Sequence, residues 1–307
     1  MVRSLTAPPL AETQPIPVIV NPGARGATAG RCVDLIRGFS PRIVLHETRA
    51  AGDARRLAET LALDGAPLIV AAGGDGTVNE VVQGIAQAGA AAHTTMGVLP
   101  TGTMNVFAAE LGLPSGQLGQ CWRAIAEGQA RSVDLWDLNG RCFVQLAGIG
   151  LDAAIIAETT WEAKKRYGPL SYVLAGLKVL RRPAPMLQVE APGHLPRRGT
   201  AVLIGSGRRY GGPFPLFPQA LLSDGLIDVV VMPRHGWSDF YAIGRALLSG
   251  RYAAHRAVSY FQTARLSVLA EQDVPYEVDG EWVGTSRTLH LSRRGSLQVM
   301  APAPHWS

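Results

Sequence analysis

In Gly73-Gly74-Asp75-Gly76-Thr77 three glycines fall within four residues, a carboxylate lies among them and a hydroxyl follows. The run Leu68 to Ala72 before it is apolar and reads as a buried parallel strand. After it, Val78, Val81, Val82 and Ile85 recur at the spacing of a helix packed on a sheet. A strand, a glycine turn and a helix start in that order aim backbone amides at one point, with no Cβ to hold a ligand off. That point suits a phosphate. The spacing fits neither the GxGxxG nor the GxxxxGK[ST] template, and the plain alternative is an ordinary turn between strand and helix.

Other candidates stand at the ends of other apolar runs. Val18-Ile19-Val20 leads into Asn21-Pro22-Gly23-Ala24-Arg25, where the Arg25 guanidinium can reach a phosphate and the alternative is a simple Asn-Pro turn. Ile43 to His46 is a second strand, followed by Thr48, and Asp53 is expected to cap a helix over 54–63. Gly97 to Pro100 feeds Thr101-Gly102-Thr103-Met104-Asn105, another strand, glycine turn and helix start. A helix over 31–39 is expected to bury Cys32, Leu35, Ile36 and Phe39.

Alternation of strands and helices to about residue 131 implies a parallel α/β sheet. From Ser132 the pattern changes to antiparallel β, with Asn139-Gly140 and Asp279-Gly280 as hairpin turns. Short strands are expected at 201–205, 264–269, 289–291 and 297–299, and a helix at 237–248. The stretch Trp161 to Tyr167 carries Lys164, Lys165 and Arg166 at helical spacing, suited to lipid headgroups or phosphates or simply to solvent. The expected domains are 14–132, α/β, and 133–303, β-rich.

The order GGDGTxNEV (73–81), GTxN (102–105), GxGxDA (148–153), DGxxD (224–228) and DGE (279–281) resembles the diacylglycerol kinase, sphingosine kinase and NAD kinase superfamily, in its lipid-kinase branch. The resemblance covers about residues 16 to 302. It implies an N-terminal parallel α/β nucleotide-binding domain followed by a C-terminal antiparallel β-sandwich. It implies ATP and Mg²⁺ as cofactors and a lipid hydroxyl, diacylglycerol-like or sphingoid, as acceptor. Residue by residue, it places Asn21, Pro22, Thr48, Gly73, Gly74, Asp75, Gly76, Thr77, Asn79, Glu80, Gly102, Thr103 and Asn105 at the nucleotide, where Arg25 is expected to join them by its charge alone. Asp224 and the carbonyls of Leu221 and Leu226 would hold a magnesium ion. Glu281 would be the general base, its pKa raised against Trp282, and Asp75 would help hold the catalytic Mg²⁺, in a cleft between the domains. Two positions depart from the pattern. Ala24-Arg25 replaces Ser-Gly, and Val106 stands where an aspartate is usual.

Composition sets the outer bounds. The 307 residues are 47% hydrophobic and 17% charged, which excludes global disorder and allows two domains. A net charge of +5 is compatible with an anionic membrane surface. Cys32, Cys121 and Cys142 form no metal or disulfide pattern and fit a reducing compartment. No signal-peptide core and no run of 18 apolar residues is found, so a cytoplasmic protein meeting its lipid peripherally at the inner membrane face is expected, without a nucleic-acid partner. A homodimer is left open. Two rival readings remain: a lipid- or nucleotide-binding regulatory protein, suggested by Val106 and Ala24-Arg25, and an NAD kinase, opposed by Asn79-Glu80-Val81.

Overall fold

The computed structural model describes residues 14–23, 29–159, 175, 176, 178, 179, 184–212, 214–232 and 258–302. The expected helices at 161–167 and 237–248, and Arg25, lie outside them. Contacts divide the chain into two units, one up to Leu135 and again from Arg294, the other Trp136–Arg293.

In the first unit the chain runs β1 (Ile16–Val20), α1 (Ala29–Arg37), β2 (Ile43–Glu47), α2 (Asp53–Leu63), β3 (Leu68–Gly73), α3 (Asp75–Gln87), β4 (Thr95–Pro100), α4 (Val106–Glu110) and α5 (Leu118–Glu127). The four strands are parallel and lie in the order β4-β3-β1-β2. Every residue of β1, β3 and β4 is buried, because helices cover both faces of a parallel sheet; hence their unbroken apolar runs. Edge strand β2 is more open. Helix α1 turns Ile36 inward but leaves Leu35 51% exposed, against expectation. Position 35 lies next to the inward stripe, and a nine-residue helix covers only a narrow strip of sheet.

The second unit is antiparallel. Strand β5 (Gln129–Leu138) enters it from the first unit; its further elements are β6 (Arg141–Phe143), β7 (Leu146–Gly150), α6 (Leu151–Glu158), β8 (Leu187–Glu190), β9 (Arg197–Gly199), β10 (Ala201–Gly205), β11 (Arg209–Tyr210), β12 (Phe214–Pro215), β13 (Ile227–Met232), β14 (Ser259–Thr263), β15 (Arg265–Val278) and β16 (Glu281–Ala301), whose last residues belong to the first unit. The main path runs β14-β13-β10-β7-β15-β16. Strand β15 pairs with β8 through Ser267–Ala270 and with β7 through Tyr276–Val278, with an irregularity after Leu269. One strand thereby serves both layers of a sandwich, whose core joins Ile149, Val202 and Val229 to Leu187, Val268 and Leu291.

Two expectations change here. The short strand foreseen at 264–269 is part of β15, which runs on past an irregularity after Leu269 to Val278, and those at 289–291 and 297–299 are both parts of β16. The end of β16 then pairs in parallel with β4, Gln298 opposite Thr95. By their contacts, residues 294–302 group with the first unit. Pairing between segments so distant in sequence leaves no local mark. Among the described residues no helix is long and apolar enough to cross a membrane.

Candidate functional site

The four parallel strands end level with one another. Past their last residues the backbone ladder runs on, Thr48 N–H donating to the Val20 carbonyl (2.9 Å), Asn21 N–H to Ala72 (3.1 Å) and Thr101 N–H to Gly73 (3.0 Å). Asn21, Thr48, Gly74 and Thr101 thus open four loops at one edge of the sheet. From β1 the chain moves outward to β2 and then returns past β1 to β3, which makes the β1/β3 gap the topological switch point. Ligands of open α/β sheets bind there. The Asn21 side chain spans the gap, its Nδ2 donating to Thr77 Oγ1 (3.5 Å) while its Oδ1 accepts from Gly23 N–H (2.9 Å).

At this point α3 begins. Its N-cap is Gly74, in extended backbone, and no side chain caps the helix. The first amides of a 13-residue helix are thereby left to an incoming acceptor, and the helix dipole favours an anion. The second glycine turn lies directly against the first. A Cβ on Gly102 would come within 2.3 Å of the Gly74 Cα and 2.8 Å of Asn105 Oδ1, so only glycine permits this backbone contact. Asn105, in the left-handed region at φ 49°, holds the turn from inside. Its Oδ1 accepts from Gly102 N–H (3.0 Å), and its Nδ2 donates to the Gly102 carbonyl (2.9 Å) and Ser115 Oγ (3.2 Å). Thr103 is exposed on the same turn.

Several expected ligands have inward tasks. Asp75 Oδ1 accepts from Phe107 N–H (3.3 Å) at the start of α4. Burial raises its pKa, opposed by the amides of Phe107, Val106 and Asn105. The carboxyl thus ties the two glycine loops together, and an Asp75 with little structural weight is not what the fold contains. Val106, in the place of the usual aspartate, is buried at 6% exposure. Glu80 faces α2: Oε1 accepts from Gly52 N–H (2.8 Å), and Oε2 from Ala54 (3.0 Å) and Arg55 (3.4 Å). It is the cap that Asp53 was expected to be; Asp53 instead accepts from the Arg49 and Ala50 amides before the helix. Asn79 is 2% exposed in the middle of α3's packed face. Asn79 is thus buried, and the half-buried Glu80 has its carboxylate on α2. Long-range caps of this kind are invisible to local pattern.

In the second unit, Asp224 Oδ1 accepts from Leu226 N–H (3.0 Å), so Leu221, Asp224 and Leu226 sit on one exposed turn before β13. A carboxylate and two carbonyls are an all-oxygen set, the chemistry a magnesium ion takes. Asp228, which the sequence reading did not single out, lies close by. It accepts from the Tyr260 hydroxyl and from Gln262 Nε2 (3.2 Å). Burial first, and the charge of Asp224 as a smaller cause, push its carboxyl up to about 6. Two carboxyls so placed gain from a shared cation. Among the described residues no cluster of three or more His, Cys, Asp or Glu side chains is found, so any ion here relies on backbone oxygens.

Val278 pairs with Glu281 across a two-residue turn, Asp279 at φ 48° and Gly280 at φ 82°, both left-handed as a type I′ hairpin requires. Asp279 is anchored, Oδ1 accepting from the amides of Gln145 (3.0 Å) and Leu146 (2.9 Å) and Oδ2 from that of Val144 (3.3 Å). Glu281 is exposed and Trp282 is 52% exposed. The apolar burial expected for Glu281 against Trp282 is therefore absent: an outward position at a hairpin end exposes both side chains.

Comparison with known proteins agrees with this architecture. Residues 15–138 match the family model described as "Diacylglycerol kinase catalytic domain", and residues 146–301 match the "YegS C-terminal NAD kinase beta sandwich-like domain". A diacylglycerol kinase of Bacillus subtilis (strain 168) is 32% identical over 241 residues, 78% of this chain and 79% of that protein. One from Staphylococcus aureus (strain JH9) is 30% identical over 260 residues, 84% of this chain and 81% of that protein. The crystal structure of a diacylglycerol kinase from Bacillus anthracis (strain Sterne) superposes with a TM-score of 0.70 at 18% identity, over 96% of this chain and 99% of that one.

Proposed function

We propose, because this chain belongs to the diacylglycerol kinase family, that it is an ATP-dependent lipid kinase whose acceptor is the hydroxyl of a diacylglycerol-like or sphingoid lipid. The observation that carries the nucleotide part is the uncapped start of α3 at the switch point, pressed against a second glycine turn. The amides there receive phosphate oxygens, and Gly73, Gly76 and Thr77 belong to the same turn. Thr48, Pro22 and Thr103 line the neighbouring loops, and Arg25 adds a guanidinium. Asn21, Asp75 and Asn105 hold these loops in register, which is where a reaction dominated by positioning and charge stabilisation needs rigidity.

Glu281 takes the proton of the attacking lipid hydroxyl. Its exposure gives it access to an acceptor arriving from a membrane, reached peripherally. Asp224 with the carbonyls of Leu221 and Leu226 would hold Mg²⁺, which when bound neutralises negative charge near it. No observation favours a non-catalytic regulator or an NAD kinase.

The test is phosphoryl transfer from labelled ATP to a panel of membrane lipids, with NAD as control acceptor. Glu281→Gln should lower kcat by roughly 10²- to 10⁴-fold with ATP affinity nearly unchanged. Turnover with NAD and none with lipid would overturn the reading, and an equally active Glu281→Gln would remove Glu281 as base.

A further inference from the structure

Beneath the hairpin turn the second unit holds two acids, one buried and one half-buried, that the reaction as described leaves unused. Glu277, near the end of β15, is 0% exposed. Asp152 opens α6 with its Oδ2 buried, and neither that atom nor Glu277 Oε1 has a partner so long as both groups are written as charged. The two oxygens converge on the same spot. A Cβ on Gly148 would lie 2.6 Å from Asp152 Oδ2 and 2.7 Å from Glu277 Oε1. This gives the first glycine of the Gly148-Ile149-Gly150-Leu151-Asp152-Ala153 stretch a physical reason: with any side chain at 148 the carboxyls cannot meet. The other Glu277 oxygen, Oε2, accepts from Gly280 N–H (2.8 Å), the middle of the turn that ends in Glu281.

We propose that Asp152 and Glu277 share one proton over Gly148 and that this pair positions the Asp279–Gly280–Glu281 turn. Two carboxylates side by side repel, and the oxygens that meet over Gly148 lack a donor; one proton between them removes both costs. Glu277 is the member that keeps it. Burial raises both groups, but the charges of Asp152 and Asp279 raise Glu277 further, whereas the Tyr210 hydroxyl favours the charged form of Asp152. Among the described residues, Asp152 on α6 and Asp279 in the turn are the titratable groups that act on Glu277, Tyr210 on β11 acts on Asp152, and β7 passes the pair at Gly148. Protonated Glu277 donates to Asp152 through Oε1 and accepts the Gly280 amide through Oε2. Glu277 and Asp152 are thus positioning residues, acting through the turn.

The inference rests on Glu281 as base for its kinetic consequence, though not for its stability consequence. A carboxyl whose pKa is raised by folding binds its proton more tightly in the folded state. Its contribution to stability is full below the ordinary glutamate value of 4.5 and drains away as pH rises toward the folded value. Gln in place of Glu277 keeps the donor and the acceptor but cannot titrate. Melting temperatures of wild type and Glu277→Gln are therefore compared from pH 5 to 9, with kcat and KM for ATP and lipid measured beside them. Relative to wild type, Glu277→Gln should gain stability as pH rises, by up to about tenfold in the unfolding constant per pH unit, while keeping kcat within about threefold. Glu277→Leu, which loses the acceptor for Gly280, should lose kcat at least about tenfold with KM for ATP unchanged, a loss the Gln variant does not show. Parallel melting curves for wild type and Glu277→Gln at every pH would overturn the shared proton, and that result stands even if Glu277→Leu does not fold. Wild-type kcat in a folded Glu277→Leu would overturn the positioning role. A fully active Glu281→Gln would instead sink the base assignment and leave the melting comparison to judge the pair.

Discussion

The two units use glycine and acid in opposite ways. In the first, the groups turned toward a ligand are backbone amides, and the carboxyls beside them face inward, Asp75 to α4 and Glu80 to α2. In the second, the turn is held from inside by Asp279 and Glu277, and the group turned outward is the carboxyl of Glu281. An amide cradle suits an anion such as a phosphate, which arrives with its charge. An outward carboxylate suits a neutral hydroxyl that must lose a proton. The first unit should therefore be most sensitive to added atoms in its backbone, and the second to changed charge on its side chains.

Gly102→Ala tests the first half of that contrast and should have the largest effect among changes to the first unit. The methyl would press on the Gly74 Cα, so the two turns must part, and kcat/KM for ATP should fall by about 10²-fold while Glu281→Gln leaves ATP affinity intact. An alanine variant with wild-type ATP kinetics removes the cradle from the argument. Asp224→Ala belongs to the second half. If the turn holds an ion, wild type should melt higher in Mg²⁺ than in EDTA, by the equivalent of about 2.7 kcal/mol at 100 times the Kd, and the variant should melt alike in both. Identical wild-type curves with and without the ion sink that site.

Asp75→Ala separates an anchor from a mere ligand. Removing the acceptor at the start of α4 should cost about 1–2 kcal/mol of stability as well as activity. Unchanged melting would return Asp75 to a purely ligand-facing role. The smallest effect is expected from Glu80→Ala, about 1 kcal/mol from the lost cap of α2, with the Kd for ATP unchanged. A weakened Kd at wild-type stability would show that Glu80 faces the nucleotide after all.

What the sequence determined by itself is the set of local devices. Glycines between an apolar run and an amphipathic stripe announce strand, turn and helix, because those signals are carried by neighbours in the chain. Asn139-Gly140 and Asp279-Gly280 announce hairpins for the same reason, and both pairs do take positive φ. The order of the motifs was enough to name a family and its parallel-then-antiparallel architecture. Only the tertiary structure decided which way each side chain faces. Glu80 sits one residue from Asn79 and three from Thr77, yet its partners are amides of residues 52, 54 and 55. Glu281 follows a strand end that is buried at Val278, yet is exposed. Glu277, in an unremarkable Tyr-Glu-Val run, meets Asp152 over a glycine on a third segment. Direction is a property of packing, set by segments far apart in the chain, and no local spacing encodes it.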